Sequence, residues 1–230
     1  MKKQELRIAG VPAVLYGERS RRVYLYVHGI NGCKEEAESF ATRACRAGWQ
    51  VLSVDLPEHG SRRSEPEKLL PWVVVPELQR VYARMKQVWA RVALYGVSIG
   101  AWFALYAARN DPPCRVLLVS PVVDMEALIL RRMQEAGVTE AQLQAAGEIP
   151  VPGGQDLSWR YLCWVRENPL CWKTPVQLLY GSADGITTPG ELERFRQQSG
   201  ARLTIFEGGE HWFHTDLQLA VLHSWEDAQL

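Results

Sequence analysis

Apolar residues recur along this chain in two alternating rhythms. Short runs rich in valine, leucine and tyrosine fall at residues 11–16, 23–27, 50–56, 91–97, 115–123, 174–180 and 202–207. Their length and continuity are those of strands buried on both faces. Between them the apolar positions fall three and four apart. Residues 35–47 read as a helix, and so do residues 99–109. Leu78, Val81, Tyr82, Met85, Val88 and Trp89 predict a helix over 76–90, with Pro76 in its first turn. The last helix starts near Thr215 or Asp216, either of which can cap it, and carries Leu217, Val221, Leu222 and Trp225 on one face. Strand–helix alternation with continuous apolar strands predicts an α/β fold, a mostly parallel twisted sheet flanked by helices.

One segment breaks the rhythm. About 50 residues, 124–173, separate two consecutive predicted strands, too many for a plain crossover. They hold a charged helix at 125–136, a Pro/Gly loop at 149–154 and an aromatic stretch with Trp159, Tyr161, Trp164 and Trp172. The expectation is one domain over residues 1–230 with a small helical cap inserted over the sheet's C-terminal edge. Trp159, Trp164 and Trp172 then either line a substrate pocket or pack the cap onto the body.

Charge narrows the partners. Twenty-six basic and 26 acidic residues give a formal net charge of zero. That argues against a nucleic-acid or anionic-membrane partner. The basic runs at 19–22 and 62–63 read as solvated loops. The charged start has no apolar segment behind it, and no stretch of 18 apolar residues occurs, so neither a signal peptide nor a membrane span is expected. The five cysteines, at 33, 45, 114, 163 and 171, are odd in number and form no Cys-x-x-Cys. Reduced thiols in a cytoplasmic protein are the simplest reading. Cys33 reads as a small buried apolar residue. No metal-binding or nucleotide-binding motif is present, so no metal and no cofactor are implied. Oligomeric state is not legible.

The candidate chemistry begins at Gly96-Val97-Ser98-Ile99-Gly100, between a predicted strand and a predicted helix. A nucleophilic serine must sit at the tip of a sharp turn with its hydroxyl exposed, and glycines two before and two after relieve the crowding there. His28-Gly29-Ile30-Asn31-Gly32 follows an earlier strand. Backbone N–H groups of Ile30 and Ile99 are the candidate oxyanion donors. A serine hydroxyl needs a histidine base, and that base needs a carboxylate to orient it. After Ser98 the histidines are His211, His214 and His223. His211 directly follows the strand at 202–207 and is preferred, with His214 as the alternative. His28 precedes the nucleophile and reads as structural. Asp184, in Gly181-Ser182-Ala183-Asp184 after the strand at 174–180, is preferred as the acid. Asp124, after the strand at 115–123, competes with it or caps the first cap helix. Ser98, Asp184 and His211 all fall at C-terminal ends of strands, where open α/β sheets bind ligands.

These motifs, with Asp55-Leu56-Pro57-Glu58-His59-Gly60-Ser61 and Gly209-Glu210-His211, stand in the order typical of α/β-hydrolases. The chain resembles that superfamily over nearly its whole length except the cap. The loop after His28 and Gly29 is most similar to that of small carboxylesterases, including cinnamoyl and feruloyl ester hydrolases. Ile99 departs from the smaller or polar residue many members carry. The resemblance implies a serine hydrolase cleaving a small-molecule carboxylic ester through an acyl-enzyme, and assigns Asp55 and His59 to shaping a loop rather than to chemistry. Acyl transfer, peptide or thioester cleavage by the same residues, or a non-catalytic binding protein on this fold, are the alternatives.

Overall fold

A computed structural model describes residues 1–152 and 155–230. In chain order its strands are β1 (Lys3–Ile8), β2 (Val11–Tyr16), β3 (Arg22–Val27), β4 (Gln50–Val54), β5 (Arg91–Val97), β6 (Val116–Val119), β7 (Glu148–Ile149), β8 (Leu157–Ser158), β9 (Gln177–Gly181) and β10 (Arg202–Phe206). Its α-helices are α1 (Glu38–Arg46), α2 (Pro71–Val88), α3 (Ile99–Ala108), α4 (Met125–Glu135), α5 (Glu140–Ala146), α6 (Trp159–Glu167), α7 (Pro189–Ser199) and α8 (Asp216–Gln229). Eight strands form one sheet in the order β1-β2-β4-β3-β5-β6-β9-β10, and β7 pairs with β8. From β4 to β10 all neighbours are parallel, whereas β2 runs antiparallel to both β1 and β4.

The period of two decides which core each strand residue joins. Val23, Leu25 and Val27 of β3 pack with α2 and α3. Tyr24 and Tyr26 point to the other face, with Phe40 of α1 and Trp225 of α8. There Tyr26 stacks on Tyr95 at 4.9 Å between ring centroids, and Phe40 lies 4.2 Å from Tyr95. Both faces being covered, the inner strands must be continuously apolar.

Three expectations shift. The polar edge strand β1 lies outside the apolar rhythm, because only Leu6 and Ile8 of its six residues turn toward the core. The helix expected at 76–90 begins at Pro71, and Pro76 lies inside it rather than in its first turn. The β-branched run Val73-Val74-Val75 argues for strand, yet Pro71 supplies the fixed φ of a first helical residue and burial of Val74 and Val75 outweighs propensity. The strand expected over 115–123 ends at Val119, where Ser120 takes φ 44° and Pro121 follows.

The chain between β6 and β9 holds α4, α5, the β7–β8 pair and α6. Asp124 caps α4, accepting a hydrogen bond from Ala127 N at 3.0 Å. Thr139 and Gln142 form a capping box on α5, and Ser158 caps α6. Gly153 and Gly154 of the predicted Pro/Gly loop lie outside the described residues. Thr215, not Asp216, caps α8. No helix among the described residues is long and apolar enough to cross a membrane.

Candidate active site

Because β4 and β5 lie on opposite sides of β3, the loops leaving β3 and β5 diverge and open a crevice at their C-terminal ends. Ser98 stands there, one residue beyond β5, with φ 51° and ψ −125°. This conformation is strained for a residue with a side chain, and it exposes the hydroxyl between strand and helix. Its neighbours must lack side chains. A Cβ at position 96 would sit 2.5 Å from Ala101 Cα, and one at position 100 would sit 2.2 Å from the His28 carbonyl oxygen. The turn is tied to the next strand as well, through Ser98 N–H to Val119 O and Val122 N–H to Ser98 O, each 3.1 Å.

His211 and Asp184 converge on this serine. His211 Nε2 lies 2.9 Å from Ser98 Oγ, and His211 Nδ1 lies 2.7 Å from Asp184 Oδ2. The Asp184 side chain is fully buried. Its other oxygen accepts hydrogen bonds from Ile186 N at 2.6 Å and Thr187 N at 3.1 Å. A carboxylate so held is an acceptor only. It therefore fixes the proton on Nδ1 and leaves Nε2 to accept from the serine hydroxyl. The two loops are locked together behind this contact. Ala183 N donates to Gly209 O at 2.8 Å, and a Cβ at position 181 would meet that oxygen at 2.2 Å. Neither glycine can be larger without pushing Asp184 and His211 apart.

Gly29 brings the 28–32 loop against the serine. A Cβ there would lie 3.1 Å from Ser98 Cβ. Ile30 and Ile99 border the same cavity as Ser98 and His211. The Ile99 amide is the first of α3, where a helix leaves its N–H groups without internal partners.

The competing residues are engaged elsewhere. Asp124, besides its cap, is 3.2 Å from Arg194 Nη2. His214 Nδ1 is paired with the Trp212 carbonyl at 2.9 Å, and His223 Nε2 with Ser39 Oγ at 3.1 Å. His28 is buried, accepts from Leu56 N at 3.1 Å on Nε2 and holds Gly29 O at 2.7 Å on Nδ1. Burial lowers its pKa to about 4, so it is a neutral staple between the loops after β3 and β4. Asp55 takes the Lys34 and Ser61 backbone N–H groups, the Ser61 hydroxyl and the Lys34 ammonium, which together outweigh its burial and hold its pKa low.

Above Ser98 a cavity of about 840 Å³ runs under α4, β8 and α6. Of the two readings open for Trp159, Trp164 and Trp172, lining the pocket or packing the cap onto the body, the structure shows packing, and none of the three lines the cavity. Trp172 is buried and donates to Thr174 O, while Trp164 packs on Trp102 and Tyr106 at 5.8 and 5.3 Å. Trp159 packs at the edge of the same core. The aromatic residue of this stretch that does line the cavity is Tyr161, with Met125, Leu128 and Ile129 from α4. A three-and-four spacing in that helix was the available signal. Trp212, adjacent to His211 and 73% exposed, stands at the mouth. No cluster of three His, Cys, Asp or Glu among the described residues is placed to hold a metal ion.

The sequence model of the alpha/beta hydrolase family matches residues 25–222. A thermostable monoacylglycerol lipase of a Bacillus species is 26% identical over 136 residues, which are 59% of this chain and 50% of that protein. The match thus spans half the length of that curated relative. Among solved structures, Est1E of Butyrivibrio proteoclasticus with bound ferulic acid superposes with a TM-score of 0.75 at 16% identity, covering 98% of this chain and 97% of that one. Mouse alpha/beta hydrolase domain-containing protein 10 gives a TM-score of 0.74 at 16% identity, covering 100% and 98%.

Proposed function

Since the chain belongs to the alpha/beta hydrolase family, we propose that it hydrolyses a small-molecule carboxylic ester with Ser98 as nucleophile, His211 as base and Asp184 as its orienting acid. The observation that carries this reading is the continuous hydrogen-bonded chain from Asp184 through His211 to Ser98 Oγ at the edge of the cavity.

His211 Nε2 takes the Ser98 proton as Oγ bonds to the acyl carbon. Negative charge gathers on the carbonyl oxygen, toward which the Ile30 and Ile99 N–H groups donate. Two such fixed donors are worth several kcal/mol in the transition state. The tetrahedral adduct collapses, the alcohol leaves with the proton from His211, and an acyl-Ser98 ester stays behind. Water then gives its proton to His211 and attacks the acyl carbon. The acid departs and Ser98 Oγ recovers its proton. The sum is ester plus water to acid plus alcohol. Segment 124–173 acts as the cap that closes over the substrate, and the cavity volume fits a small-molecule ester. A lipase relative and a fold neighbour holding an aromatic acid support esters as the class.

A fluorophosphonate probe and a panel of para-nitrophenyl esters test this. The wild type is expected to be labelled and to turn esters over, and Ser98→Ala to lose both, by about 10⁴-fold or more in kcat. Unlabelled wild-type protein, or equal labelling of Ser98→Ala, refutes it.

A further inference from the structure

Helix α4 turns Met125, Leu128, Ile129 and Arg132 toward the cavity. Their spacing of i, i+3, i+4 and i+7 is that of a buried apolar stripe, and the fourth position holds an arginine. The other arginines of this region are engaged. Arg131 pairs with Glu191 at 2.7 Å, Arg166 with Glu126 and Glu140 at 2.7 Å, and Arg194 with Asp124 at 3.2 Å. Arg160 lies over the Trp72 ring at 4.0 Å. Arg132 forms no ion pair among the described residues, and its Nη2 is buried without a hydrogen-bond partner. Asp156 also borders the cavity, exposed and beyond ion-pair distance. On α6, Tyr161 is 5% exposed, and its hydroxyl is a second buried donor without a partner on the same cavity wall.

The far wall has the opposite character. Between the sheet and helices α1 and α8 the lining includes two carboxyl groups, Glu36 and Glu226. Glu226 is buried, receives the Tyr95 hydroxyl at 2.6 Å, and has Arg43 at 3.7 Å. The α8 wall thus holds its buried carboxyl already engaged by Tyr95 and Arg43, and the cation left without a partner lies on the α4 wall. Half-burying a guanidinium with no partner is unfavourable unless something completes it. Its fork of donors fits a carboxylate in two parallel hydrogen bonds. One guanidinium balances one carboxylate, whereas a phosphate monoester brings a charge of about −1.5 to −2 and would stay undercompensated here.

Resting on the ester-hydrolase reading, we propose that the cavity selects esters one half of which ends in a free carboxylate, and that Arg132 is the residue that binds it. Tyr161 offers the second donor, and Met125, Leu128 and Ile129 hold the aliphatic stretch between.

The test compares mono-para-nitrophenyl esters of straight-chain dicarboxylic acids, graded in length, with the same esters methyl-capped at the free acid. At the best length the wild type should favour the free acid by about tenfold or more in kcat/KM, expressed mainly in KM. Arg132→Leu should bring that ratio to about one, and Arg132→Lys should keep part of it. Calorimetric titration with suberate, which needs no turnover, should show binding to wild type that Arg132→Leu lacks. If methyl-capped esters do as well at every length, or if suberate does not bind wild type, the carboxylate assignment falls while ester hydrolysis stands. If wild type binds suberate yet cleaves no ester and takes no fluorophosphonate, ester hydrolysis falls and the anion site stands. Should Arg132→Leu fail to fold, Arg132→Gln and the wild-type ratio decide.

Discussion

Replacing Asp184 by asparagine separates orientation from stability. Oδ1 of the aspartate accepts from Ile186 N and Thr187 N, and an asparagine Oδ1 can keep both bonds. Oδ2, which faces His211 Nδ1 at 2.7 Å, becomes an NH₂ group that can only donate. It then favours the imidazole tautomer with its proton on Nε2, aimed at Ser98 Oγ where a lone pair is needed. The group that should accept the serine proton already holds one. Loss of this orientation costs about 10⁴ in kcat, equivalent to about 5 kcal/mol at 1.36 kcal/mol per tenfold. Folding stability should change by less than about 1 kcal/mol, because the backbone donors stay paired. Asp184→Ala should behave differently: it orphans two N–H groups and should lose about 2 kcal/mol of stability or more in addition to the activity. The assay is the rate of fluorophosphonate labelling and of para-nitrophenyl ester turnover, alongside urea unfolding of each variant. An Asp184→Asn protein retaining activity within tenfold of wild type would show that Asp184 does not orient His211 for catalysis.

Two buried groups give opposing pH dependences. Burial lowers His28 from 6.5 to about 4, so the unfolded chain binds the extra proton and stability falls by about 3 kcal/mol as pH drops through that window. Burial raises Glu226 from 4.5 to about 7, so the folded state binds the extra proton and stability rises by about 3 kcal/mol as pH falls from 7 to 4.5. Urea unfolding between pH 8 and 4 should therefore show Glu226→Gln losing ground to wild type on acidification and His28→Gln gaining it; parallel curves for all three proteins would contradict the assigned shifts. Gly29→Ala places a methyl 3.1 Å from Ser98 Cβ, which requires a displacement of a few tenths of an ångström. It should lower kcat about tenfold or more with little change in thermal midpoint, and unchanged turnover would mean that Ser98 is not held against that loop.

The elements that could be read from the chain were those whose signal is local. Ser98 and Asp184 follow apolar strands of the sheet interior and His211 follows the half-exposed edge strand β10, and the glycines around them mark turns where no Cβ fits. At Gly96, Gly100 and Gly181 the obstructing atom is backbone, at 2.5 Å or closer. That is why the glycine spacing survives in the sequence as a motif. Asp124 at its cap and His214 beside Trp212 show the limit: both stand at strand or helix ends like the chosen residues, and only the tertiary position separates them. β1 and the first turns of α2 were illegible for a related reason. One turns only Leu6 and Ile8 toward the core, too few for a readable pattern, and the other sets burial against its local propensity.

Specificity was harder to read because its residues share no local pattern. The helix at 125–136 reads as charged from its composition, and Arg132 is then one charge among several. Docking gives that residue its meaning, since it decides which stripe of α4 faces Ser98. Trp159, Trp164 and Trp172, which could be read either as pocket or as packing, show the same logic in reverse. Large aromatic side chains in an insertion invite a pocket assignment, yet burying an indole stabilises most when every side is covered. Trp164 accordingly packs onto Trp102 and Tyr106, away from the cavity, and Tyr161, three residues earlier on the helix, takes the lining position. The residues that select a substrate must leave polar groups incomplete until it arrives. Their mark is an unmet hydrogen bond, as at Arg132 Nη2 and Tyr161 Oη, and an unmet bond has no signature in sequence.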